Sequence, residues 1–361
     1  MKRVLILCLH RPNRSPSQRF RFEQYLPYLE QNGYSFEFSY LLDERDDRIF
    51  YMPGHTWGKA RIVLKSIAKR WREIRKAARY DLVFVQREAF MLGTAYFERK
   101  IARKVPLIFD FDDSIWLQNV SDANKRLNFL KDAAKTSRLI KCAKEVFAGN
   151  EYLAAYARQY NTDVVIIPTT IETSVYKQEP LPPSGKICIG WSGSFSTIQH
   201  FALAIPALKR IKEKYGDKVY FKIIGDGNYY CQELETKGTP WVEATELRDL
   251  SGIDIGIMPL PDDEWAKGKC GLKGLQYMAL SIPALMSPVG VNNNIIQHGV
   301  NGFLPATEQE WVDSLSKLVE SRELRREIGE AGRKTVVDKY SVDVWKEKYL
   351  EYFDRVAQKK L

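Results

Sequence analysis

The chain has 361 residues and a formal net charge of +10, long enough for two domains with cores of their own. Its 45% hydrophobic and 28% charged content is that of a soluble globular protein and excludes a disordered or fibrous one. The five cysteines, Cys8, Cys142, Cys188, Cys231 and Cys270, are scattered without metal-ligand or redox spacing, which fits a reducing compartment, and no apolar run approaches the roughly 20 residues that span a bilayer.

The charge is uneven. Residues 1–172 hold 30 Lys and Arg against 20 Asp and Glu, whereas residues 173–361 hold 25 of each kind. The whole excess lies in the first half, as expected if that half faces an anionic surface or ligand.

In chain order, Val4–Leu9 is an apolar run without a small-residue cleavage site, and reads as a first strand rather than a signal peptide. A loop and helix follow in HRPNRSPSQRFRFEQYLPYLEQNGY, with Ser17 as candidate N-cap and Gly33 at the end. Arg14, Arg19 and Arg21 crowd the loop and first turn. The helix dipole disfavours cations there, so they are candidates for an anionic ligand, with a solvated basic loop as the plainer reading. Ser35–Leu42 is a second strand. Over residues 59–79, Leu64, Ile67, Trp71, Ile74 and Ala78 recur three and four apart and predict one apolar stripe packed on the core. Nine cations cover the rest of that helix against one acid, Glu73; its Lys65–Arg79 portion is a candidate for lying on anionic lipid headgroups. Nucleic acid is not expected, because no zinc-finger, RRM or KH signature is present.

Asp81–Gln86 and Pro106–Phe111 are further strands flanking a helix over Ala89–Arg103. The second ends in Asp110-Phe111-Asp112-Asp113. Carboxylates at the C-terminal end of a parallel strand lie where open α/β sheets bind ligands, and a DxD run can also chelate a divalent cation. A helix is expected up to about Cys142, then a strand at Glu145–Gly149, a helix capped by Asn150 and running to Tyr160, and a strand at Val164–Ile167. Strands alternate with helices, which predicts a parallel, doubly wound sheet.

Thr173–Gly185 holds three prolines and no apolar periodicity, and is the predicted linker. Alternation then restarts with a strand at Ile187–Gly190. A small-residue turn, Trp191-Ser192-Gly193-Ser194-Phe195-Ser196-Thr197, leads to a helix over His200–Tyr215. A strand at Val219–Ile224 ends in Gly225-Asp226-Gly227, which lacks the dinucleotide spacing. Asp254–Met258 delivers Pro259-Leu260-Pro261-Asp262-Asp263-Glu264-Trp265. The loop Gly268-Lys269-Cys270-Gly271 then feeds a helix over Leu272–Leu280, with a buried strand at Ala284–Ser287. Such a glycine loop offers unpaired first-turn amides and the positive end of a dipole to an anion. Lys269 and Lys273 are poorly placed there unless a diphosphate sits between them, the alternative being two surface lysines. A turn and short strand are expected at Gly299–Phe303, helices over Glu308–Ser321 and Arg322–Lys339, and an amphipathic helix over Val342–Lys359. The predicted fold is α/β, with two doubly wound Rossmann-like domains facing across a cleft. Residues 1–172 would form the first domain, 173–185 the linker and 186–340 the second domain, with 341–361 as a final helix.

The run GKCGLKGLQYMALSIPALMSPVGVNNNIIQHGVNGFL resembles the donor-binding core of the family-4 retaining glycosyltransferases (glycosyl transferases group 1, GT-B fold). SQRFRFEQYLPYL, DFDDSIW, VFAGNEYLAAYA, VIIPTTIET, IGWSGSFST and DIGIMPLPDDEW are similar to elements of a bacterial branch with a KCGLK-type loop, so the resemblance covers nearly the whole chain. It implies metal-independent transfer of a sugar from a nucleotide-diphosphate sugar to a glycan or lipid-linked acceptor in cell-surface polysaccharide synthesis. It needs no cofactor, and implies a cytoplasmic protein, peripheral on the inner face of the membrane. It would make residues 1–172 the acceptor-binding domain, 186–340 the nucleotide-sugar-binding domain and 341–361 a helix packing towards the first. Lys273, Lys269, Asp112 and Asp113 would be catalytic, the lysines meeting the diphosphate and the two aspartates near the acceptor-side position, with Arg19 and Arg21 on the acceptor side. Donor contacts would come from Gly193, Ser194, Asp226, Asp263, Glu264, Cys270, Gly271, Leu272 and Gln276. The family's paired Glu residues fall here on Gly268 and Gln276, a departure that leaves the donor sugar open. Alternatives are a metal-dependent transferase using Asp110 and Asp112, a UDP-sugar epimerase, and a non-catalytic nucleotide-sugar or lipid-binding protein.

Overall fold

A computed structural model describes residues 1–117, 132–182, 184–194 and 197–358. The start of the helix expected to end near Cys142, and Pro183, Phe195, Ser196 and Lys359, lie outside these residues.

Two compact units account for the chain: residues 1–169 with 345–361, and residues 170–344. The first is built on strands β1 (Lys2–His10), β2 (Tyr34–Leu42), β3 (Leu82–Gln86), β4 (Leu107–Phe111), β5 (Glu145–Ala148) and β6 (Val164–Ile166). They are parallel throughout, in the order β2-β1-β3-β4-β5-β6. The second holds β7 (Ile187–Ser192), β8 (Val219–Gly225), β9 (Tyr230–Cys231), β10 (Thr236–Pro240), β11 (Ile255–Met258) and β12 (Ala284–Met286), in the order β12-β11-β7-β8-β10-β9. Among the described residues only the β9–β10 pair is antiparallel. Each unit is a doubly wound, Rossmann-like sheet. The strands are apolar runs because helices cover both faces of a parallel sheet; every residue of β3, β4 and β5 is buried. The order reverses between β1 and β3 in the first unit and between β7 and β11 in the second. A crevice opens beyond the strand C-termini at such switch points, where ligands bind in this class of sheet.

The last described helix, Val342–Gln358, seats its inner face on the first sheet. Tyr349 stacks on Tyr25 with centroids 4.2 Å apart, and Phe353 meets Tyr34 edge-on at 5.7 Å. Arg355 pairs with the buried Glu145, and Lys2 with Asp354.

Several local expectations are corrected. Ser17 is not an N-cap: the helix Pro16–Arg21 begins at Pro16 after Ser15, without a side-chain cap. The helix expected over residues 89–103 is limited to Tyr96–Ala102, and that over 200–215 is divided into Ile198–Phe201 and Ile205–Tyr215 by a 3-10 turn at Ala202–Ala204, with Pro206 in the first turn of the second helix. Gly302 and Phe303 form isolated bridges rather than a strand.

The largest difference is in the helix Thr56–Lys76. Its buried face carries Lys59, Ile62, Ser66, Arg70, Glu73 and Ile74, while Leu64 and Trp71 of the predicted stripe point outward. Arg70 decides the orientation. Its fully buried guanidinium pairs with Glu73 at 2.6 Å and donates to the carbonyls of Ser39 and Cys8. A buried arginine needs such a complete set of acceptors, and only this rotation of the helix supplies them.

Arg21 is likewise buried. It binds both oxygens of Asp110 and donates to the Ile167 carbonyl. Arg21→Met is expected to destabilise the protein by about 3–5 kcal/mol, because Asp110 is left as an unpaired buried charge; unchanged stability in urea would return Arg21 to ligand binding. Phe353→Ala is expected to lower stability by about 3–5 kcal/mol, seen as a lower urea midpoint.

Candidate active site

In the second unit, the residues that converge lie beyond the C-termini of β7 and β11. Strand β7 ends at Ser192, whose amide donates to the Tyr277 hydroxyl at 2.8 Å. This bond ties the helix Leu272–Ala279 to the strand that delivers Gly193. The Gly193 amide donates to Ile224 at 2.9 Å, so the Gly193 turn lies against the end of β8 and the Gly225-Asp226 turn. A Cβ at Gly193 would sit about 2.4 Å from the Trp191 ring and 2.8 Å from Lys273 Cε, so the Lys273 chain runs directly over this glycine. Only a residue without a side chain admits that approach.

Lys273 occupies the first turn of its helix. Its ammonium lies 5.5 Å from the Trp191 ring centroid, and no carboxylate partner is found for it among the described residues. Burial, with the Lys269 charge nearby, pushes its pKa down to about 7. Gly271, at the N-cap, has φ +71°, and no side chain caps the helix. A diphosphate placed here would meet the open end of the helix and would restore charge to Lys273. Lys269 lies 5.2 Å from the Trp265 ring.

His200 belongs to the same cluster, and sequence reasoning assigned it no role. It is buried, and burial together with Lys273 and Lys269 pushes its pKa down to about 4 against the opposing charge of Asp263. It is therefore a neutral imidazole at pH 7, able to donate one hydrogen bond and accept another. The signal in the sequence was its position at the head of the helix after the small-residue turn.

The remaining candidates are held as follows. Ser194 forms a turn with Thr197, its amide donating to Thr197 Oγ1 at 3.1 Å. Asp226 accepts from the Asn228 amide at 2.9 Å. Asp263 caps the helix Glu264–Lys267 through the Ala266 amide at 2.7 Å, and Glu264 pairs with Lys267 at the surface. Cys270 is buried, with Leu272 as the first helical residue. Gln276 is buried in a network that sequence reasoning missed. Its amide nitrogen lies 3.2 Å from both the Tyr176 hydroxyl and Glu246 Oε1, and Trp241 Nε1 donates to the same Glu246 oxygen. Glu246 stands 30 residues before Gln276, too far for any local pattern to relate them.

The first unit has its own cluster beyond β1, β3 and β4. Arg87 follows β3 with φ +59°, an uncommon conformation for a side-chain-bearing residue and one that often marks a functional site. Its guanidinium binds Asp112 at 2.8 Å and also Asp113. Burial opposes ionisation of Asp112, yet Arg87, Arg21 and Ser17 hold its carboxyl below the usual range. Asp110 is committed to Arg21, so neither carboxylate of the DxD run is left open for a cation. No group of three or more His, Cys, Asp or Glu with metal-binding geometry occurs among the described residues. His10, at the end of β1, shares a hydrogen bond of 3.1 Å between Nε2 and Tyr51 Oη. Burial pushes the His10 pKa down to about 4, with Asp47 opposing. Asp47 is held by Arg14 at 2.6 Å and Arg11 at 3.2 Å. Arg19 stands over the Phe20 ring at 5.1 Å.

Residues 186–321 match the family described as Glycosyl transferases group 1. Among curated proteins, N-acetyl-alpha-D-glucosaminyl L-malate synthase of Bacillus anthracis is 24% identical over 199 residues, 50% of each chain; the chain thus spans about half the length of this relative. Among solved structures, sucrose-phosphate synthase of Thermosynechococcus elongatus superposes with a TM-score of 0.70 at 11% identity, over 98% of this chain and 99% of the other. Anabaena HepE, solved with UDP and glucose, gives 0.66 at 14% identity, over 98% and 100%. The likeness shows a GT-B fold built of two Rossmann-like units, and the unit that holds Lys273 carries the match to the group 1 family.

Proposed function

We propose that the protein is a retaining glycosyltransferase of the family-4 type that moves a sugar from a nucleotide-diphosphate sugar to a glycan or lipid-linked acceptor in bacterial cell-surface polysaccharide synthesis. The observation that carries this reading is Lys273, unpaired with any described carboxylate, laid over Gly193 at an uncapped helix start inside the matched segment. HepE, of the same fold, was solved with UDP, which makes uracil the first base to test.

In the proposed reaction the diphosphate leaves under stabilisation by Lys273, Lys269 and the first-turn amides of Leu272–Ala279, which oppose the charge that grows on the leaving oxygen. The bond from the anomeric carbon to the phosphate oxygen breaks. The acceptor oxygen forms the new bond on the same face, and its proton passes to a phosphate oxygen, so no protein base is required. The pairing of Asp110 and Asp112 with arginines supports a metal-independent reaction. Gly193, Ser194 and the Asp226 turn would border the donor. Asp263, Glu264, Cys270, Gly271, Leu272 and Gln276 are proposed to complete its site. The first unit would hold the acceptor near Asp112, Asp113 and Arg19, in a protein acting in the cytoplasm at the membrane's inner face.

A second reading, a non-catalytic nucleotide-sugar-binding protein, is favoured by one observation. Gly268 replaces one family carboxylate, and the Gln276 amide at the other position is turned to Glu246 and Tyr176. Turnover separates the two.

Lys273→Met is expected to lower turnover about 10²–10³-fold with the fold intact, and EDTA is expected to leave wild-type turnover unchanged. Nucleotide binding without turnover, across donors and acceptors, would favour the non-catalytic reading. The pH dependence has a definite sign. Free Lys273 loses its proton near pH 7, and an adjacent diphosphate raises that value, so binding takes up a proton above it. Affinity for UDP is therefore expected to fall as pH rises from about 7 towards 10. The slope should vanish in Lys273→Met.

A further inference from the structure

Leu64 and Trp71, predicted to pack on the core, lie on the outward face of the helix Thr56–Lys76. Trp57 is 89% exposed, Leu64 67% and Trp71 42%. They recur every seven residues, two helical turns, so they form one row about 21 Å long. Trp71 continues the row sideways onto Tyr96, 39% exposed and 5.5 Å away. Singly exposed apolar residues are ordinary, but a row of two tryptophans, a leucine and a tyrosine is not.

Some cations of the first unit are tied to carboxylates, including Lys65 of this same helix with Asp43 and Asp46, and those nearest the row are not. Arg70, Arg87 and Arg21 are each matched to a carboxylate. Arg61, Arg72, Arg75 and Lys76 are exposed, and no carboxylate partner is found for any of them among the described residues. Ala68, Trp71, Arg72 and Arg75 line an open depression of about 480 Å³, which sets two guanidiniums beside an indole ring. Guanidinium groups bind phosphate in bidentate fashion, and indole rings settle at the level of lipid headgroups.

We propose that the first unit binds an anionic phospholipid bilayer surface through this helix face, with Trp57, Leu64 and Trp71 entering the headgroup region and Arg72 and Arg75 meeting lipid phosphates. No described helix is long and apolar enough to cross a membrane, so the helix lies in the surface plane. Charge selects this occupant. A second copy docked on the same face would oppose arginines to arginines, whereas an anionic bilayer complements them and accepts the apolar row. The inference does not depend on the donor site.

The test is co-sedimentation of the full chain with vesicles of phosphatidylglycerol and phosphatidylcholine in equal parts, and with phosphatidylcholine alone. Binding to the anionic vesicles that weakens with salt is expected. Arg72→Glu with Arg75→Glu should reduce it about tenfold or more. Trp57→Ser with Leu64→Ser should do likewise, with unchanged circular dichroism because both side chains are exposed. Lys273→Met should bind vesicles as the wild type does, so failure at the donor site and failure at this surface are separable. The proposal is overturned by absence of binding to anionic vesicles at low salt or by equal binding to phosphatidylcholine. It also falls if the serine variant binds like wild type, or if an oligomer lost in that variant forms without vesicle binding.

Discussion

An ammonium group partly withdrawn from water, with no described carboxylate beside it and a second lysine nearby, is an unfavourable arrangement for a free protein. The loops of the second unit are built around it. Gly193 lets the Lys273 chain cross the turn, Trp191 offers its ring, and the left-handed Gly271 leaves the helix start uncapped. Each feature lowers stability a little in the absence of an anion. All become favourable when a diphosphate fills the site, because the helix end, the lysines and the close backbone approach then act on the same group.

The first unit treats buried charge in the opposite way. The buried Arg21 and Arg70 are fixed by carboxylates and carbonyls, as the half-buried Arg87 is by carboxylates, and these pairs set the orientation of the elements that carry them. The excess positive charge of the first half therefore does not gather in its interior. Among the described residues, the cations left without partners include a group on one helix face, beside aromatic rings open to solvent. Such a division, paired inside and unpaired at one surface, suits a unit that must be rigid at its switch point and adhesive elsewhere.

What could be read from the sequence follows the same physics. The parallel strands were legible because burial on both faces makes them continuous apolar runs, as in LVFVQ and PLIFDF. Strands β9 and β10 were not, being short and, in TKGTP, without an apolar run. The helix over residues 56–76 showed the right type and the wrong face. Periodicity assigns apolar side chains to the core, and here the core side is claimed by Arg70 and Glu73, whose partners Ser39 and Cys8 come from β2 and β1. Arg21 was misplaced for the same reason, since its partner Asp110 lies 89 residues away. The loop carrying Lys269, Gly271 and Lys273 was legible because its chemistry is local. The Glu246, Trp241 and Tyr176 environment of Gln276 was not, because it is assembled only by the fold.

The central claim is that Lys273 awaits a diphosphate, and calorimetry tests it most directly. UDP would be titrated into the protein at about pH 8 in two buffers of different ionisation enthalpy, which reports the protons exchanged on binding. Net uptake approaching one proton per ligand, absent from Lys273→Met, is the predicted result. Binding with no proton uptake, or with the same uptake in the variant, would contradict the account.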